Sequence, residues 1–388
     1  MTGHAKTHGM DGTLVAPDWP ALTLEELRTL LQNFPDLGSP EAIETESPRP
    51  FSSAGIVRTA KGRVFIKRHH RSVRDIEGLK EEHRFLAHLH ARGASVPRIF
   101  KTAQGESAVE IGNWTYEAHE VPEGVDLYQD AISWTPFQTV HHAHSAGHAL
   151  ARLHRASEGF AAPRRRPRSL VAGFSVFAAD DPGPELERYL AARPALANHV
   201  AVHRNARRAL DILAPFHAEL RPLLPKLPPL WTHNDLHASN LLWSHHGPDA
   251  RATAVIDFGL SARTCAVHDL AHAIERNMVE WLSLAEDAER PAAVHLDHLD
   301  ALLSGYELVR PLSRHEAAAL APMTALCHAE FALSEADYFL GVLRSEDKAR
   351  MAYDDYLVGH AEWFHSSAGK ELLDALRTWA ANHTEWQH

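Results

Sequence analysis

The stretch that decides the fold is WTHNDLHASNLLWSHHGPDARATAVIDFG, at residues 231–259. Three of its side chains matter most: Asp235, Asn240, which follows it by five positions, and Asp257. Between Asn240 and Asp257 lie two short apolar runs separated by a Gly-Pro-Asp turn. Apolar runs that flank a turn in this way predict a β-hairpin. We therefore expect the ends of the hairpin to bring the side chains of Asn240 and Asp257 to one place.

The order of these side chains matches the signature H-R-D-L-x-x-x-N followed by D-F-G, which here reads HNDLHASN from His233 and DFG from Asp257. Phosphoryl transfer needs a carboxylate near the attacking hydroxyl and oxygen ligands for Mg²⁺, which bridges the phosphates. Asp235 fits the first role, and Asn240 and Asp257 fit the second. His233 is expected to stabilise the loop. A D-F-G triplet alone is common by chance, so it is the combination that indicates a phosphotransferase site.

A lysine upstream fits the nucleotide side of such a site. The segment VFIK, ending at Lys67, resembles the V-A-I-K strand whose lysine holds the α- and β-phosphates. Apolar residues at three- and four-residue spacing predict a helix over 79–92. Glu82 on this helix is the expected partner of Lys67, with Glu81 as the alternative. The segment that should cover the phosphates, 50–55, has no G-x-G-x-x-G pattern, and no residue there is assigned.

With these motifs, the chain resembles the aminoglycoside phosphotransferase and choline kinase-like superfamily, which are small-molecule kinases with a protein-kinase-like fold. The resemblance covers residues 50–275 and is most specific in the catalytic loop. The other matching pieces are the strand of Lys67, the helix of Glu82, HEVPEG at 119–124, GHALARLH at 147–154 and HDLA at 268–271. The sequence departs from the family pattern at Asn234, where the family usually has glycine, and at Gly259, where it often has an acidic residue. Neither change removes a group that the chemistry needs.

The resemblance implies further roles. Glu120 to Glu123 would form the hinge whose backbone holds adenine, with Glu120 and Val121 as the binding residues. Asp269 would brace the catalytic loop. The cofactors would be ATP and Mg²⁺, and the γ-phosphoryl group would pass to a hydroxyl of a small molecule.

The predicted fold class is α+β. It is a bilobal protein-kinase-like fold with a small antiparallel-sheet N-lobe and a larger, mostly helical C-lobe. The expected divisions are an N-terminal extension with one helix at 1–50, a nucleotide-binding N-lobe at 51–124, and a C-lobe at 125–388 that carries the catalytic loop and the substrate-binding region.

The N-terminal extension has its own signals. Thr23 and Glu26 form a capping-box pattern that predicts a helix over 23–34. Residues 1–21 show no periodicity and are expected to be disordered. Three prolines within 39–50 predict a linker.

Composition narrows the class of protein. The chain has 388 residues and a net charge of −11, which argues against general nucleic-acid binding and is compatible with a cationic acceptor. Cys265 and Cys327 are unpatterned, as in a reducing compartment. The N-terminus has no signal-peptide pattern, and no apolar run reaches the length of a membrane span. We therefore expect a cytoplasmic enzyme without a membrane partner; its oligomeric state is not predicted.

Histidine is unusually frequent, with 30 residues. His233 and His237 stand at H-x-x-x-H spacing, and several histidines form adjacent pairs. The adjacent pairs have no Cys, Asp or Glu nearby at the spacing of a zinc site, and His233 is better explained as the motif histidine that stabilises the loop. No zinc site is expected.

The C-terminal third is where substrate choice should be encoded. Helices are expected at 269–290 and 315–343, and both carry acidic and aromatic residues. Such a wall can hold an amine through charge pairing and cation–π contact. A charged solvent face of amphipathic helices gives the same pattern, and the sequence does not separate the two. The residues concerned are Glu275, Glu280, Trp281, Glu330, Glu335, Asp337, Tyr338, Asp354, Asp355, Glu362 and Trp363.

Two other functions fit the same residues. A kinase of Ser/Thr in a peptide or protein is one, although no A-P-E follows Asp257 and only eleven residues separate it from Asp269. A nucleotide-binding pseudokinase that acts by interaction is the other, although no catalytic group is missing. GTP fits as donor as well as ATP.

Overall fold

The structure is a computed structural model, and it describes residues 17–47, 49–281 and 293–385 together with the backbone of 7–8 and 14–15. Two compact units can be distinguished. Unit 1 comprises Met1–Ile132, Leu242–His246 and Thr253–Ile256, and unit 2 comprises Ser133–Leu241, Gly247–Ala252 and Asp257–His388.

Unit 1 is built on a five-stranded antiparallel sheet with the strand order β3-β4-β5-β7-β6. Its strands are β1 (Thr7–His8), β2 (Leu14–Val15), β3 (Pro40–Glu46), β4 (Ser53–Thr59), β5 (Gly62–His70), β6 (Val109–Ile111) and β7 (Trp114–His119). Its helices are α1 (Leu24–Leu31) and α2 (Ile76–Ala91).

The core of unit 1 packs α1 against the sheet. Leu27 and Leu30 of α1 cluster with Val64 and Ile66, which alternate along β5 and so share one face. The predicted capping box is confirmed, because Thr23 accepts the backbone N–H of Glu26 and the Glu26 side chain accepts that of Thr23. A cap of this kind stabilises a helix by about 1 kcal/mol.

The linker expected over 39–50 is wrong, because residues 40–46 form the edge strand β3. The prediction rested on the three prolines, which do not interrupt the strand. Pro40 is the first residue of the strand, a position that tolerates proline at a sheet edge, and the other two lie beyond its end. The intervening residues are therefore free to pair with β4. The domain boundaries at residues 50 and 124 stay predictions.

Unit 2 is mostly helical. Its α-helices are α3 (Val140–Ser157), α4 (Pro182–Ala191), α5 (Val200–Leu220), α6 (Ala266–Met278), α7 (Leu296–Glu307), α8 (Arg314–Leu326), α9 (Ala329–Tyr338), α10 (Glu346–Arg350), α11 (His360–Trp363) and α12 (Ser367–Glu385). Two π-helical segments, Phe339–Leu343 and Met351–Gly359, interrupt the series. The helix expected at 269–290 corresponds to α6, which ends at Met278, and residues 282–290 of that prediction lie outside the described residues. Among the described residues, no helix has the combination of length and apolar character needed to cross a membrane.

Two short sheets frame the catalytic loop. Strand β8 (Pro229–Thr232) pairs with β11 (Ala262–Cys265), and β9 (Leu241–Trp243) pairs with β10 (Ala252–Val255). The second pair is the hairpin that the sequence predicted. A small antiparallel sheet in one unit and a mostly helical second unit confirm the α+β fold class.

Candidate active site

The catalytic loop begins directly after β8 and is held by one carboxylate. Asp269, near the start of α6, accepts the backbone N–H of His233 at 2.8 Å and that of Asn234 at 2.7 Å. It also accepts a hydrogen bond from His154 Nε2 at 2.9 Å. Although burial alone would raise it, the hydrogen bond and the charge of His154 hold the pKa of Asp269 below its usual value. Asp269 is therefore an ionised, buried anchor of the loop.

Asn234 explains one departure from the family pattern. Its φ is 62°, in the left-handed region where glycine is favoured and asparagine is tolerated. Its side-chain Oδ1 accepts hydrogen bonds from Thr232 Oγ1 at 2.8 Å and from His268 Nδ1 at 3.1 Å. Asparagine thus meets the same backbone requirement as glycine and adds polar contacts inside unit 2.

Asp235 lies between an amide and a guanidinium. Asn240 Nδ2 donates to the backbone oxygen of Asp235 at 2.9 Å and to its Oδ2 at 3.2 Å. Arg276 Nη1 lies 3.0 Å from Oδ1. Burial raises the pKa of Asp235, although Arg276 and His233 oppose the shift. A poorly solvated carboxylate with a raised pKa is suited to accept a proton.

Asp257 stands beside this carboxylate in an unusual backbone conformation. Its φ is 58°, and its Oδ1 accepts the backbone N–H of Gly259 at 3.3 Å. Its negative charge contributes to the raised pKa of Asp235, so the two carboxylates are close enough to interact. The ring of Phe258 packs edge-on against His233 with centroids 4.8 Å apart. The structure therefore brings Asp235, Asn240 and Asp257 together.

The oxygen atoms at this place suit Mg²⁺. Both hydrogen bonds of the Asn240 side chain use Nδ2, and within the described part of the chain none reaches its Oδ1. That oxygen and the Asp257 carboxylate are the hard oxygen ligands that Mg²⁺ prefers.

The comparisons with known proteins agree with this geometry. The profile of the phosphotransferase enzyme family matches residues 53–312. This chain belongs to that family. Homoserine kinase of Caulobacter vibrioides is 26% identical over 304 residues, which cover 77% of this chain and 82% of that protein. Homoserine kinase of Agrobacterium fabrum is 25% identical over 303 residues, covering 77% and 80%.

Two solved structures share the fold. A microcompartment-associated aminopropanol kinase has a TM-score of 0.57 at 18% identity, covering 88% of this chain and 98% of that one. A thermostable mutant of an aminoglycoside phosphotransferase, in ternary complex with AMP-PNP and hygromycin B, has a TM-score of 0.52 at 15% identity, with the same coverage. The predicted protein-kinase-like fold is confirmed. The enzyme is a kinase that transfers a phosphoryl group to a hydroxyl of a small molecule.

Two residues of this phosphotransferase that sequence reasoning missed lie on α6. Arg276 is 1% exposed and contacts Asp235. Asn277 donates through Nδ2 to the Leu236 oxygen at 2.9 Å and accepts the Ala238 N–H at 3.1 Å. A signal was present, because Arg276 follows Asp269 by seven positions and such residues share a helix face.

The nucleotide-side residues all lie in unit 1. Lys67 is half-buried on β5, opposite Glu117 on β7. Glu82 is buried, and its carboxylate accepts a hydrogen bond from Arg74 Nε at 2.9 Å. The Lys67–Glu82 pair therefore stays a prediction, in which Glu82 would be shared with an arginine that the sequence did not suggest.

The predicted hinge follows β7 directly. The backbone N–H of Glu120 donates to the Arg98 oxygen at 2.8 Å, and its side chain is 46% exposed. Val121 is half-buried. Since the Glu120 N–H is already used, adenine binding by the backbone of this segment stays a prediction from the resemblance.

Six of the eight acidic residues named for the C-terminal third fall into three groups. Asp355 and Glu362 are exposed, as on a solvated face. Glu330 and Asp337 are buried in structural contacts. Glu330 accepts hydrogen bonds from the backbone N–H groups of Ser175 and Val176. Asp337 accepts a hydrogen bond from Ser169 Oγ at 2.7 Å.

Glu275 and Glu335 form the third group. Both are buried, and in the described part of unit 2 the Oε2 atom of each has no hydrogen-bond partner. A buried carboxylate without such partners is unusual, because desolvation of its charge is costly. These two residues are the members of the acidic set that a ligand could satisfy.

Proposed function

We propose that this phosphotransferase moves the γ-phosphoryl group of ATP, with Mg²⁺, to the hydroxyl of a small hydroxylated amine. The observation that carries the proposal is the convergence of Asp235, Asn240 and Asp257 in one loop system. The names of the relatives support the acceptor class, since homoserine and aminopropanol are both amino alcohols.

Asp235 is the group that handles the proton. In the proposed reaction its carboxylate orients the acceptor hydroxyl and accepts its proton as the phosphoryl group moves in line. Arg276 and Asn240 hold the carboxylate through contacts of 3.0 Å and 3.2 Å. Holding the base in place supplies part of the acceleration, because the reactants need no further ordering.

Asn240 and Asp257 would bind Mg²⁺ through oxygen. A bound Mg²⁺ would offset the negative charge of the phosphates. Lys67 would bind the α- and β-phosphates with Glu82 as its partner, and the backbone of Glu120 and Val121 would bind adenine.

Glu335 is our choice for the residue that binds the acceptor's ammonium group. Burial raises the pKa of its carboxyl well above the usual range, with further influence from the charges of Arg276, Asp235 and Glu275. The carboxylate therefore belongs to the same electrostatic environment as the proposed base. An ammonium group would offset its charge.

A matched acceptor series tests this assignment. ADP release would be measured with homoserine, 1-amino-2-propanol and an aminoglycoside, each beside an analogue that lacks the amine. We expect turnover with at least one amine and a KM for its analogue raised roughly 10- to 100-fold, the range of a charge-assisted hydrogen bond. Glu335→Gln should raise KM for the amine similarly with little change in kcat, whereas the exposed control Glu362→Gln should leave both unchanged.

Other outcomes would contradict the proposal in different ways. Equal KM values for amines and their analogues would remove the amine from the acceptor class. Turnover of a peptide alone would favour the Ser/Thr kinase. ATP binding without turnover of any acceptor would favour the pseudokinase.

A further inference from the structure

A second polar cluster lies in unit 2 and has no role in the reaction described above. It consists of Glu275 on α6, His328 at the start of α9, and His360, the first residue of α11; they are 1%, 3% and 7% exposed. Glu275 Oε1 lies 3.6 Å from His328 Nδ1 and 3.5 Å from His360 Nδ1. The two imidazole centroids are 4.4 Å apart. Three ligating side chains thus meet at one buried point.

The facing imidazole nitrogens are not hydrogen-bonded within residues 17–47, 49–281 and 293–385. No partner is found there for Nδ1 of His328 or for Nδ1 of His360, nor for Oε2, the second carboxylate oxygen of Glu275. Buried polar atoms are normally satisfied, so such a group calls for a missing partner such as an ion.

The distances between Glu275 Oε1 and the two histidine Nδ1 atoms fit ligands that share one ion. Hydrogen-bonded nitrogen and oxygen atoms lie about 2.7–3.2 Å apart. Ligands placed about 2.0–2.1 Å from a tetrahedral Zn²⁺ lie roughly 3.3 Å from one another. The distances around Glu275 of 3.5 Å and 3.6 Å are closer to the second arrangement.

A comparable cluster in unit 1 is largely hydrogen-bonded. Glu117 Oε2 lies 2.7 Å from His83 Nε2 and Oε1 lies 3.1 Å from His69 Nε2, both in hydrogen-bonding geometry. His119 Nε2 lies 2.9 Å from Oε2 and has no hydrogen-bond partner among the described residues. Both carboxylate oxygens of Glu117 therefore already have an imidazole partner. This cluster is the natural control for the one at Glu275.

The charges at Glu275 also favour a cation. Arg276, its chain neighbour, contacts Asp235 at 3.0 Å. In the described part of the chain, no Lys or Arg lies within ion-pair distance of Glu275, which meets only the two histidines. A divalent ion would offset the buried carboxylate.

We propose that Glu275, His328 and His360 bind a divalent transition-metal ion of the zinc type. Two imidazoles and a carboxylate are an established ligand set for such ions, and they leave a further coordination position open. The site is separate from the oxygen ligands Asn240 and Asp257, which suit Mg²⁺. Sequence patterns missed it because the ligands stand 53 and 32 positions apart, on three different helices.

The surroundings are those of a shielded site. The ring of Trp281 stacks on His360 with centroids 3.9 Å apart and an interplanar angle of 17°, and Trp134 packs edge-on against His328 at 5.7 Å. Aromatic walls exclude water and fix the orientation of the imidazoles. The ion would join α6, α9 and α11 beside the arginine that contacts Asp235.

Metal content and Zn²⁺ titration of the full-length protein test the proposal. The protein would be stripped with chelator and titrated with Zn²⁺ in excess Mg²⁺ and without nucleotide. We expect about one equivalent to bind. His328→Gln and His360→Gln should each weaken the affinity at least about 100-fold, whereas His83→Gln and Asp257→Asn should retain it.

X-ray absorption of the Zn²⁺-loaded wild-type protein keeps the test decisive if a variant fails to fold. The account predicts two imidazole nitrogens at about 2.0–2.1 Å and no sulfur ligand. Failure to bind Zn²⁺, a shell without imidazole, or loss of binding in His83→Gln instead of His328→Gln would overturn the proposal.

Discussion

Asp269 shows how a residue that touches no substrate can set the geometry of a catalytic loop. Its two carboxylate oxygens accept the backbone N–H groups of His233 and Asn234, the two residues before Asp235. Because His154 is its remaining partner, removing the charge would leave a buried imidazole and two amides poorly satisfied. The position of the proposed base therefore depends on a residue in a different element.

We expect Asp269→Asn to lower the free energy of unfolding by about 2–3 kcal/mol at pH 7, the usual contribution of hydrogen bonds to a buried charged group. The folded-state pKa of Asp269 is lowered. Its contribution is thus complete above the unfolded pKa of about 3.9 and is lost as pH falls through the folded value. Urea unfolding of wild type and variant should therefore differ most near neutral pH and converge in acid. Asp211→Asn, at an exposed position of α5, is the control, and an equal loss there would contradict the account.

The proximity of the proposed catalytic and metal-binding residues was predictable from the sequence because they lie in one short motif. Asp235, Asn240 and Asp257 share a loop and hairpin, where spacing fixes proximity. Arg276 was not identified, since its contact with Asp235 depends on how α6 packs against the loop. Spacing along the chain predicts contacts between residues that are close in sequence. Contacts between distant residues depend on how the helices pack, which spacing does not show.

At the scale of elements, the crossing of α3 and α7 depends on two glycines. A Cβ added at Gly147 would lie 2.0 Å from the Leu302 backbone oxygen, and one at Gly305 would lie 2.0 Å from that of His144. Each glycine thus lets the backbone of the other helix approach. Both obstructing atoms are backbone, so a side chain at either position cannot be accommodated by a rotamer change.

Gly147→Ala should destabilise unit 2 by about 2 kcal/mol or more, as overpacking does. The expected loss of stability is opposite to the usual effect of this substitution, because alanine normally stabilises a helix relative to glycine by about 0.5–1 kcal/mol. Thermal unfolding would measure the change. Gly183→Ala is the matched control, since the nearest atom to its added Cβ is Asp181 Oδ1 at an ordinary 3.4 Å. If both variants were equally stable, the close approach would not matter.

Elements with terminal signals were easier to predict than those without. Thr23 and Glu26 identified α1 through its capping box. Strand β3 was missed because prolines at its ends indicated a break, although its stability comes from pairing with β4. That pairing is a tertiary contact, which composition does not report.

At the scale of the whole molecule, many buried histidines should make the enzyme sensitive to acid. Burial lowers the pKa of His268 to about 4 and that of His272 well below its usual value. Their folded pKa values lie below the unfolded value of about 6.5, so the unfolded state binds more protons. Stability is therefore complete above that value and falls as pH decreases below it.

His272→Leu should isolate this effect, because neither ring nitrogen of His272 has a hydrogen-bond partner among the described residues. As pH falls from 8 to 5, the free energy of unfolding should decrease by about 2 kcal/mol less in the variant than in wild type. That difference is the contribution of one imidazole that stays neutral in the folded state. Urea unfolding at the two pH values measures it, with the exposed His90→Leu as control. A wild-type pH dependence in His272→Leu would show that His272 does not stay neutral.

The acidic C-terminal set shows the limit of sequence reasoning at this scale. Glu330 and Glu335 are five positions apart on α9, yet one caps a loop and the other lacks a hydrogen-bond partner at Oε2 among the described residues. Helical periodicity does not distinguish them, because the difference lies in what packs against each. Sequence indicated the chemistry of phosphoryl transfer and named Glu335 among several acidic residues, whereas its burial and its unpartnered Oε2 among the described residues single it out as the proposed acceptor-binding residue.

The most direct test of the central claim is the kinetic comparison of Asp235→Asn with wild type, using the best acceptor and with ATP affinity measured by calorimetry. The substitution keeps the shape and removes the carboxylate that accepts the proton. The account predicts a kcat lower by roughly 10²- to 10⁴-fold, the usual contribution of a general base, with ATP affinity unchanged. A variant that turns over at the wild-type rate would contradict it, because Asp235 would then not be the base.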